Sequence, residues 1–383
     1  MRARDLGIEI GRLRPGALNA ITDVPGVRVG HATLIEGVGP LRVGIGPVRT
    51  GVTVIVPHDG DIWREPVFAG CHRLNGNGEL TGLEWIRESG LLGGAIGLTN
   101  THSVGVVHDA LVAAAARSRG DEEFWSLPVV GETYDGALND MNGFHVRPEH
   151  VDAALEIASS TVAEGNVGGG TGMICHEFKG GIGTASRSLD PLRGGWTVGV
   201  LVQANYGRRE LLRIDGVPVG REISRDELPS AWDQLDGVRR GADRSGPEGG
   251  SIIVVVATDA PLLPHQCARL AQRPSLSLGR MGSYASHGSG DLFIAFATGN
   301  RNVSARAGES DPRLTASVSM VVDAQIDPLF EATVEATEEA IVNALVAAET
   351  MTGRDGVTAH ALPHDRLREV MSRYARARGP SLT

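Results

Sequence analysis

Three stretches of the chain, residues 197–204, 251–258 and 292–298, are apolar at nearly every position instead of alternating with polar residues. A strand with one face in water alternates, whereas a strand covered on both faces does not. These runs therefore predict central strands with cover on each side. Shorter β-like runs at 27–31, 52–57 and 95–100 are broken by Gly and Pro, and a further strand is expected over 316–322. Helical spacing predicts an Ala-rich helix over 110–116, preceded by His108 and Asp109. It predicts a second over 148–163, with Pro148 in the first turn and Val151, Ala154, Leu155, Ile157 and Ala158 at helical intervals. A helix begins near Pro264. Two more close the chain, at about 328–349 with an apolar face of Leu329, Ala332, Val334, Ala340, Ile341 and Leu345, and at about 364–378. Helices are thus available to cover the doubly buried strands, and an α/β layered fold follows. No repeat recurs at a fixed period.

Between 207 and 250 the pattern changes. Charges crowd together (Arg208-Arg209-Glu210, Arg221-Glu222, Arg239-Arg240, Asp243-Arg244), periodicity fades, and the segment ends Ser245-Gly246-Pro247-Glu248-Gly249-Gly250. This reads as a long charged surface linker leading to Ser251. Ser251 then stands where an accessible connection meets a buried strand. Glycine at 250 leaves its carbonyl open to the serine hydroxyl and permits backbone angles that other residues resist. If the Gly250–Ser251 bond breaks, Ser251 acquires an α-amine that titrates at about 7.7 to 8.0, a general base beside its own hydroxyl. The motif by itself equally describes a glycine turn feeding a core strand that happens to begin with serine.

Composition narrows the function classes. The 383 residues carry 36 basic and 46 acidic side chains, a formal charge of −10, with no basic stripe to follow a phosphate backbone, so nucleic acid is not an expected partner. No apolar run approaches the roughly 18 to 20 residues of a membrane span, and the amino terminus carries no secretory pattern; a cytoplasmic protein is expected. Cys71, Cys175 and Cys267 are widely spaced and fit a reducing compartment as small buried side chains. The twelve histidines form no HExxH pair, and His176-Glu177 lacks a second histidine because position 180 is glycine, so no metal is expected. Gly76-Asn77-Gly78 and Gly168-Gly169-Gly170 both miss the third glycine of a dinucleotide fingerprint, and no nucleophile elbow occurs. No cofactor is therefore expected. Glycine itself is abundant, at 52 residues, about twice the usual share of roughly 7%. Tight turns and close backbone approaches around a site would use it.

Three further groups bear on chemistry. Ser289 and Asp291 flank a glycine just before a buried strand, and an acid two residues from a hydroxyl can orient it; the same residues are a common strand-initiating turn. Asn205 ends its strand, where its amide could donate to a developing oxyanion or simply terminate the strand. In Gly131-Glu132-Thr133-Tyr134-Asp135-Gly136, Glu132 could meet a substrate ammonium and Tyr134 could donate a hydrogen bond, if this is not merely an acidic loop.

Taken in order, these groups resemble the L-aminopeptidase/D-esterase (DmpA-like) and β-aminopeptidase family. The likeness runs from Arg4-Asp5-Leu6-Gly7-Ile8 through Ala20-Ile21-Thr22-Asp23-Val24-Pro25-Gly26-Val27-Arg28-Val29-Gly30-His31 to the closing helices. Its motifs include Thr99-Asn100-Thr101, Glu132-Thr133-Tyr134-Asp135-Gly136, Gly170-Thr171-Gly172-Met173, Phe178-Lys179-Gly180-Gly181-Ile182-Gly183-Thr184-Ala185-Ser186-Arg187, Val202-Gln203-Ala204-Asn205-Tyr206-Gly207, Gly250-Ser251 and Ser289-Gly290-Asp291. The resemblance implies one peptidase domain that cuts itself before Ser251 into residues 1–250 and 251–383. The two pieces would share an αββα sandwich like that of N-terminal nucleophile hydrolases, with the topology of the DmpA and ornithine acetyltransferase group. It implies Ser251 as nucleophile, Ser289 and Asp291 as proton-transfer partners, Asn205 and Tyr134 as oxyanion donors, and Glu132 as the ammonium site. It also implies small peptide, amide or ester substrates with an amino-terminal D-Ala, L-α- or β-residue, and a homotetramer of processed subunits. Asp291 is a departure, since the β-aminopeptidases carry glutamate there. The alternatives are a self-cleaving acyltransferase of the ornithine acetyltransferase type, which uses threonine where this chain has Ser251, and a non-catalytic relative that binds a small amine.

Overall fold

The run Ser251–Thr258 lies inside a six-stranded sheet, as its unbroken apolar sequence requires. In this computed structural model the described residues are 1–238, 250–301, 303 and 315–377. The strands are β1 (Arg28–Glu36), β2 (Val48–Val56), β3 (Val67–Arg73), β4 (Leu91–Leu92), β5 (Ile96–Asn100), β6 (Val129–Thr133), β7 (Ile174–Cys175), β8 (Phe178–Lys179), β9 (Gly181–Ser188), β10 (Thr197–Asn205), β11 (Ser251–Thr258), β12 (Asp291–Ala297), β13 (Met351–Thr352) and β14 (Thr358–Ala359). The helices are α1 (Leu83–Ser89), α2 (Val104–Arg117), α3 (Pro148–Glu156), α4 (Val219–Glu222), α5 (Ala231–Val238), α6 (Pro264–Ala271), α7 (Pro274–Arg280), α8 (Asp327–Ala347) and α9 (His364–Ala377).

The larger sheet has the order β4-β3-β12-β11-β10-β9 and the smaller β1-β2-β5-β6. Side chains alternate across β11 and divide the core into layers. Ile253, Val255 and Ala257 face the smaller sheet, packing in one cluster with Val29, Ile55, Ile96 and Leu98. Ile252, Val254 and Val256 face the other way, into one cluster with Leu329, Ala336 and Ile341 of α8. On the far side of the smaller sheet, Val52, Val54 and Val130 pack against Val107 and Leu111 of α2 and Val151 of α3. The result is the expected α, β, β, α order. Close approach of α8 to β9 depends on Gly183, where a β-carbon would lie 2.0 Å from the Ala340 carbonyl oxygen. Arg187 at the other end of β9 is fully buried and bonds Glu335 at 3.0 Å and Glu339 at 2.7 Å on α8.

Three expectations are corrected. The segment after β10 is not a surface tether over its first part: Arg209, Leu212, Ile214, Val217, Val219 and Ile223 are buried there. Arg209 is enclosed because its guanidinium lies 3.6 Å from the centre of the Phe178 ring and donates to the carbonyls of Glu177 and Leu228. The remainder of that segment, residues 239–249, lies outside the described residues. The helix expected over 148–163 ends at Glu156, because Ser159 leaves it to pair its main chain with Val29 of β1. Residues 316–322 form no strand; Val318, Met320 and Val322 are exposed, and the main chain touches its neighbours through single bonds such as Val321 N to Pro261 O.

Candidate active site

The ends of three neighbouring strands and the end of one strand from the opposite sheet meet at one place. Ser251 opens β11 and pairs with Asn205, the last residue of β10, in antiparallel register. Asp291 opens β12 and pairs in parallel register with Ile252. Tyr134 follows β6 of the smaller sheet, and its carbonyl accepts a 3.0 Å bond from Asn205 Nδ2.

Gly250 is required for a steric reason. A β-carbon at this position would lie 1.6 Å from the Asn205 carbonyl oxygen. Only a residue without a side chain lets the chain enter β11 against the end of β10.

Ser251, Ser289 and Asp291 are nearly or fully buried. The Gly290 N–H donates to Ser251 Oγ at 3.2 Å. Ser289 Oγ is within hydrogen-bonding reach of two acceptors, the Gly250 carbonyl oxygen and Asp291 Oδ1, the latter at 2.6 Å. The carbonyl of the Gly250–Ser251 peptide is thus held by Ser289 in the uncut chain. Burial pushes the Asp291 carboxyl up to about 6, opposed by hydrogen bonds from Ser289 and Asn75. Among the described residues its Oδ2 is buried without a hydrogen-bond partner.

Asn205 is fixed at both ends of its amide. Oδ1 accepts from Ile174 N at 2.7 Å, while Nδ2 donates to Tyr134. The Tyr134 ring is half-buried and folds over Gly136, where a β-carbon would lie 2.6 Å from the phenol oxygen.

Glu132 is buried on β6, accepting from the Glu79 N–H at 3.0 Å and from the Thr101 hydroxyl. Burial raises its carboxyl above the ordinary value. A β-carbon at Gly78 would lie 3.2 Å from Glu132 Oε1 and 3.2 Å from Gly290 Cα, so the carboxylate stands beside the Ser289–Asp291 turn. The structure therefore brings Ser251, Ser289, Asp291, Asn205, Tyr134 and Glu132 to one end of the sandwich. His287, two residues before Ser289, is exposed.

Other residues shape the turn without having been singled out from the sequence. Asn75 Oδ1 accepts from Asp291 N at 2.7 Å and Asn75 Nδ2 donates to Ser286, while Asn77 Nδ2 donates to the Gly288 carbonyl at 2.7 Å. Their signal was present in Asn75-Gly76-Asn77-Gly78, a run of turn formers whose asparagines, not glycines, carry the contacts.

A hydroxyl at the first position of a central strand, behind a glycine peptide, is the arrangement that a hydrolase of the N-terminal nucleophile kind requires. Residues 19–359 match peptidase family S58, and the chain belongs to that family. It is 51% identical to the beta-peptidyl aminopeptidase BapA of Sphingosinicella microcystinivorans over 98% of this chain and 93% of that protein. Among solved structures, a β-aminopeptidase from Burkholderia sp. shares 53% identity and a TM-score of 0.88 over 97% of this chain and 99% of that one. The L-aminopeptidase D-Ala-esterase/amidase of Ochrobactrum anthropi, titled a prototype for the serine aminopeptidases and a variant of the Ntn hydrolase fold, shares 45% and a TM-score of 0.86 over 98% and 99%. The protein is a serine aminopeptidase of the Ntn-hydrolase-like type. Among the described residues no helix is long and apolar enough to cross a membrane.

Proposed function

We propose that the chain activates itself by cutting the Gly250–Ser251 bond and then removes amino-terminal β-residues from small peptides and amides through an acyl-enzyme on Ser251. The observation that carries this reading is the contact of Ser289 with the Gly250 carbonyl oxygen, beside a hydroxyl one bond further along the chain. In the uncut chain, Ser251 Oγ attacks the Gly250 carbonyl carbon. Negative charge grows on the oxygen that Ser289 already contacts. The C–N bond breaks, the proton from Oγ passes to the departing α-amine, and water hydrolyses the resulting ester to free the Gly250 carboxylate.

In the processed enzyme the new α-amine accepts the Ser251 hydroxyl proton as the hydroxyl attacks substrate. Asn205 Nδ2 carries two hydrogens, of which the bond to Tyr134 uses one; the other serves the substrate oxyanion together with the Tyr134 hydroxyl. Glu132 receives the substrate ammonium. A buried carboxylate raised by desolvation gains most from a cation brought against it, and this selects substrates with a free amino terminus. The β-residue preference is supported by the names of the relatives at 51% and 53% identity.

A tetramer of processed subunits in the cytoplasm completes the proposal; light scattering on the purified enzyme tests the tetramer. Turnover of β-homoalanyl, L-alanyl and D-alanyl p-nitroanilides tests the substrate class. Release of p-nitroaniline without transfer to an added amine identifies a hydrolase. Transfer as the main outcome would point to the acyltransferase alternative, and no turnover to the amine-binding one.

A further inference from the structure

Lys179 is fully buried, and its ammonium donates to three main-chain carbonyls: Gly180 at 2.8 Å, Met173 at 2.9 Å and Gly170 at 3.3 Å. These partners are dipoles, none a carboxylate. Burial lowers the ammonium to about 7, and the fold keeps a buried polar head where an apolar side chain of the same length would fill the space.

The position of the Met173 carbonyl explains what this polar head does. That carbonyl belongs to the same peptide group as the Ile174 N–H, and it also accepts from Gly180 N at 2.9 Å. The Ile174 N–H is the donor to Asn205 Oδ1. Two donors on one carbonyl polarise the peptide and strengthen its N–H as a donor. The carboxamide of Asn205 is nearly symmetric in shape, so its orientation is set by what its two ends meet. A strong donor at Ile174 holds the oxygen there and leaves the nitrogen to the Tyr134 carbonyl, at the strand end where Asn205 pairs in register with Ser251.

We propose that Lys179 is a positioning residue that acts through the Met173–Ile174 peptide to orient the Asn205 amide toward the oxyanion at Ser251. The inference rests on the oxyanion role of Asn205 given above, and the experiment separates the two.

Rates of precursor self-cleavage, and kcat and KM of the matured enzyme on an aminoacyl p-nitroanilide, are measured for Lys179→Met, Asn205→Ala and the double variant. Removal of an oxyanion donor lowers kcat by about 10²- to 10³-fold, the expectation for Asn205→Ala. Lys179→Met is expected to lower kcat about 10-fold or more with KM within about twofold, and to add nothing in the Asn205→Ala background. Multiplying losses in the double variant, or a change in KM alone, would remove Lys179 from the mechanism and leave Asn205 in it. Undiminished kcat in Asn205→Ala would instead remove the oxyanion role of Asn205 itself. Lys179→Leu serves as a second apolar replacement, with circular dichroism on both. If neither folds, Lys179 acts in folding and the proposal is overturned.

Discussion

Ser289 Oγ lies 2.6 Å from Asp291 Oδ1 while contacting the carbonyl of the residue that precedes the nucleophile. A hydroxyl has one proton to give. With Asp291 protonated, the carboxylic acid donates to Ser289 and Ser289 donates to the Gly250 carbonyl. With Asp291 ionised, the Ser289 proton is drawn to the carboxylate and the carbonyl loses its donor. The pair therefore links the protonation of one buried carboxyl to the polarisation of the peptide to be cut.

Ser289→Ala removes this link. The self-cleavage rate of the purified precursor is expected to fall about 10²-fold or more, the scale of losing one oxyanion donor. A gel time course from freshly purified precursor checks this, and an unchanged rate would show that Ser289 plays no part in cutting.

The raised carboxyl of Asp291 has a consequence for stability whose sign is definite. Its ordinary value is 3.8 and its folded value about 6, so between these limits the folded chain holds a proton that the unfolded chain has released. The contribution is fully present below the lower value and is lost as pH rises through the upper one. Asp291→Asn, placed in the uncleaved Ser251→Ala chain, is expected to gain stability relative to its parent on going from about pH 4 to pH 7. Urea midpoints at the two pH values measure this, and a difference that does not change with pH would contradict it.

Glu132→Gln retains the shape and loses the charge. A hydrogen bond to a charged group contributes about 1.5 to 3 kcal/mol, so kcat/KM for free-amine substrates should fall about 10- to 100-fold. Kinetics equal to those of the parent would remove Glu132 from the ammonium site.

Glu339 is fully buried and bonds Arg187 at 2.7 Å, Arg4 at 2.9 Å and Asn19. Taking away one partner of a buried pair leaves a charge uncompensated. Glu339→Ala in the uncleaved chain is expected to cost about 3 to 5 kcal/mol. Urea unfolding measures it, and a loss below about 1 kcal/mol would mean that water reaches Arg187 in the variant.

The strands around the site were legible because burial on both faces leaves an unbroken apolar run, as in Ser251–Thr258. Their neighbours were not legible: that Asn205 faces Ser251 and that Ile252 pairs beside Asp291 depends on which distant segments become adjacent. Charge misled the reading after β10, since Arg209 is enclosed by Phe178 and by carbonyls, and Leu212 and Ile214 lie hidden among charged neighbours. Apolar spacing misled it at 157–163, where helical periodicity continues but Ser159 pairs with Val29. The candidate site residues were legible one at a time as weak signals, and their convergence at one end of the sandwich follows from the pairing of distant strands.

The central claim is that Ser251 cuts the bond before itself. Purified protein and its Ser251→Ala variant, run on a denaturing gel with amino-terminal sequencing of each band, test it most directly. The account predicts two fragments from the parent, the smaller beginning Ser-Ile-Ile-Val, and one intact 40.2 kDa chain from the variant. A parent chain that stays intact while folded, or a variant that is cut at the same bond, would contradict it.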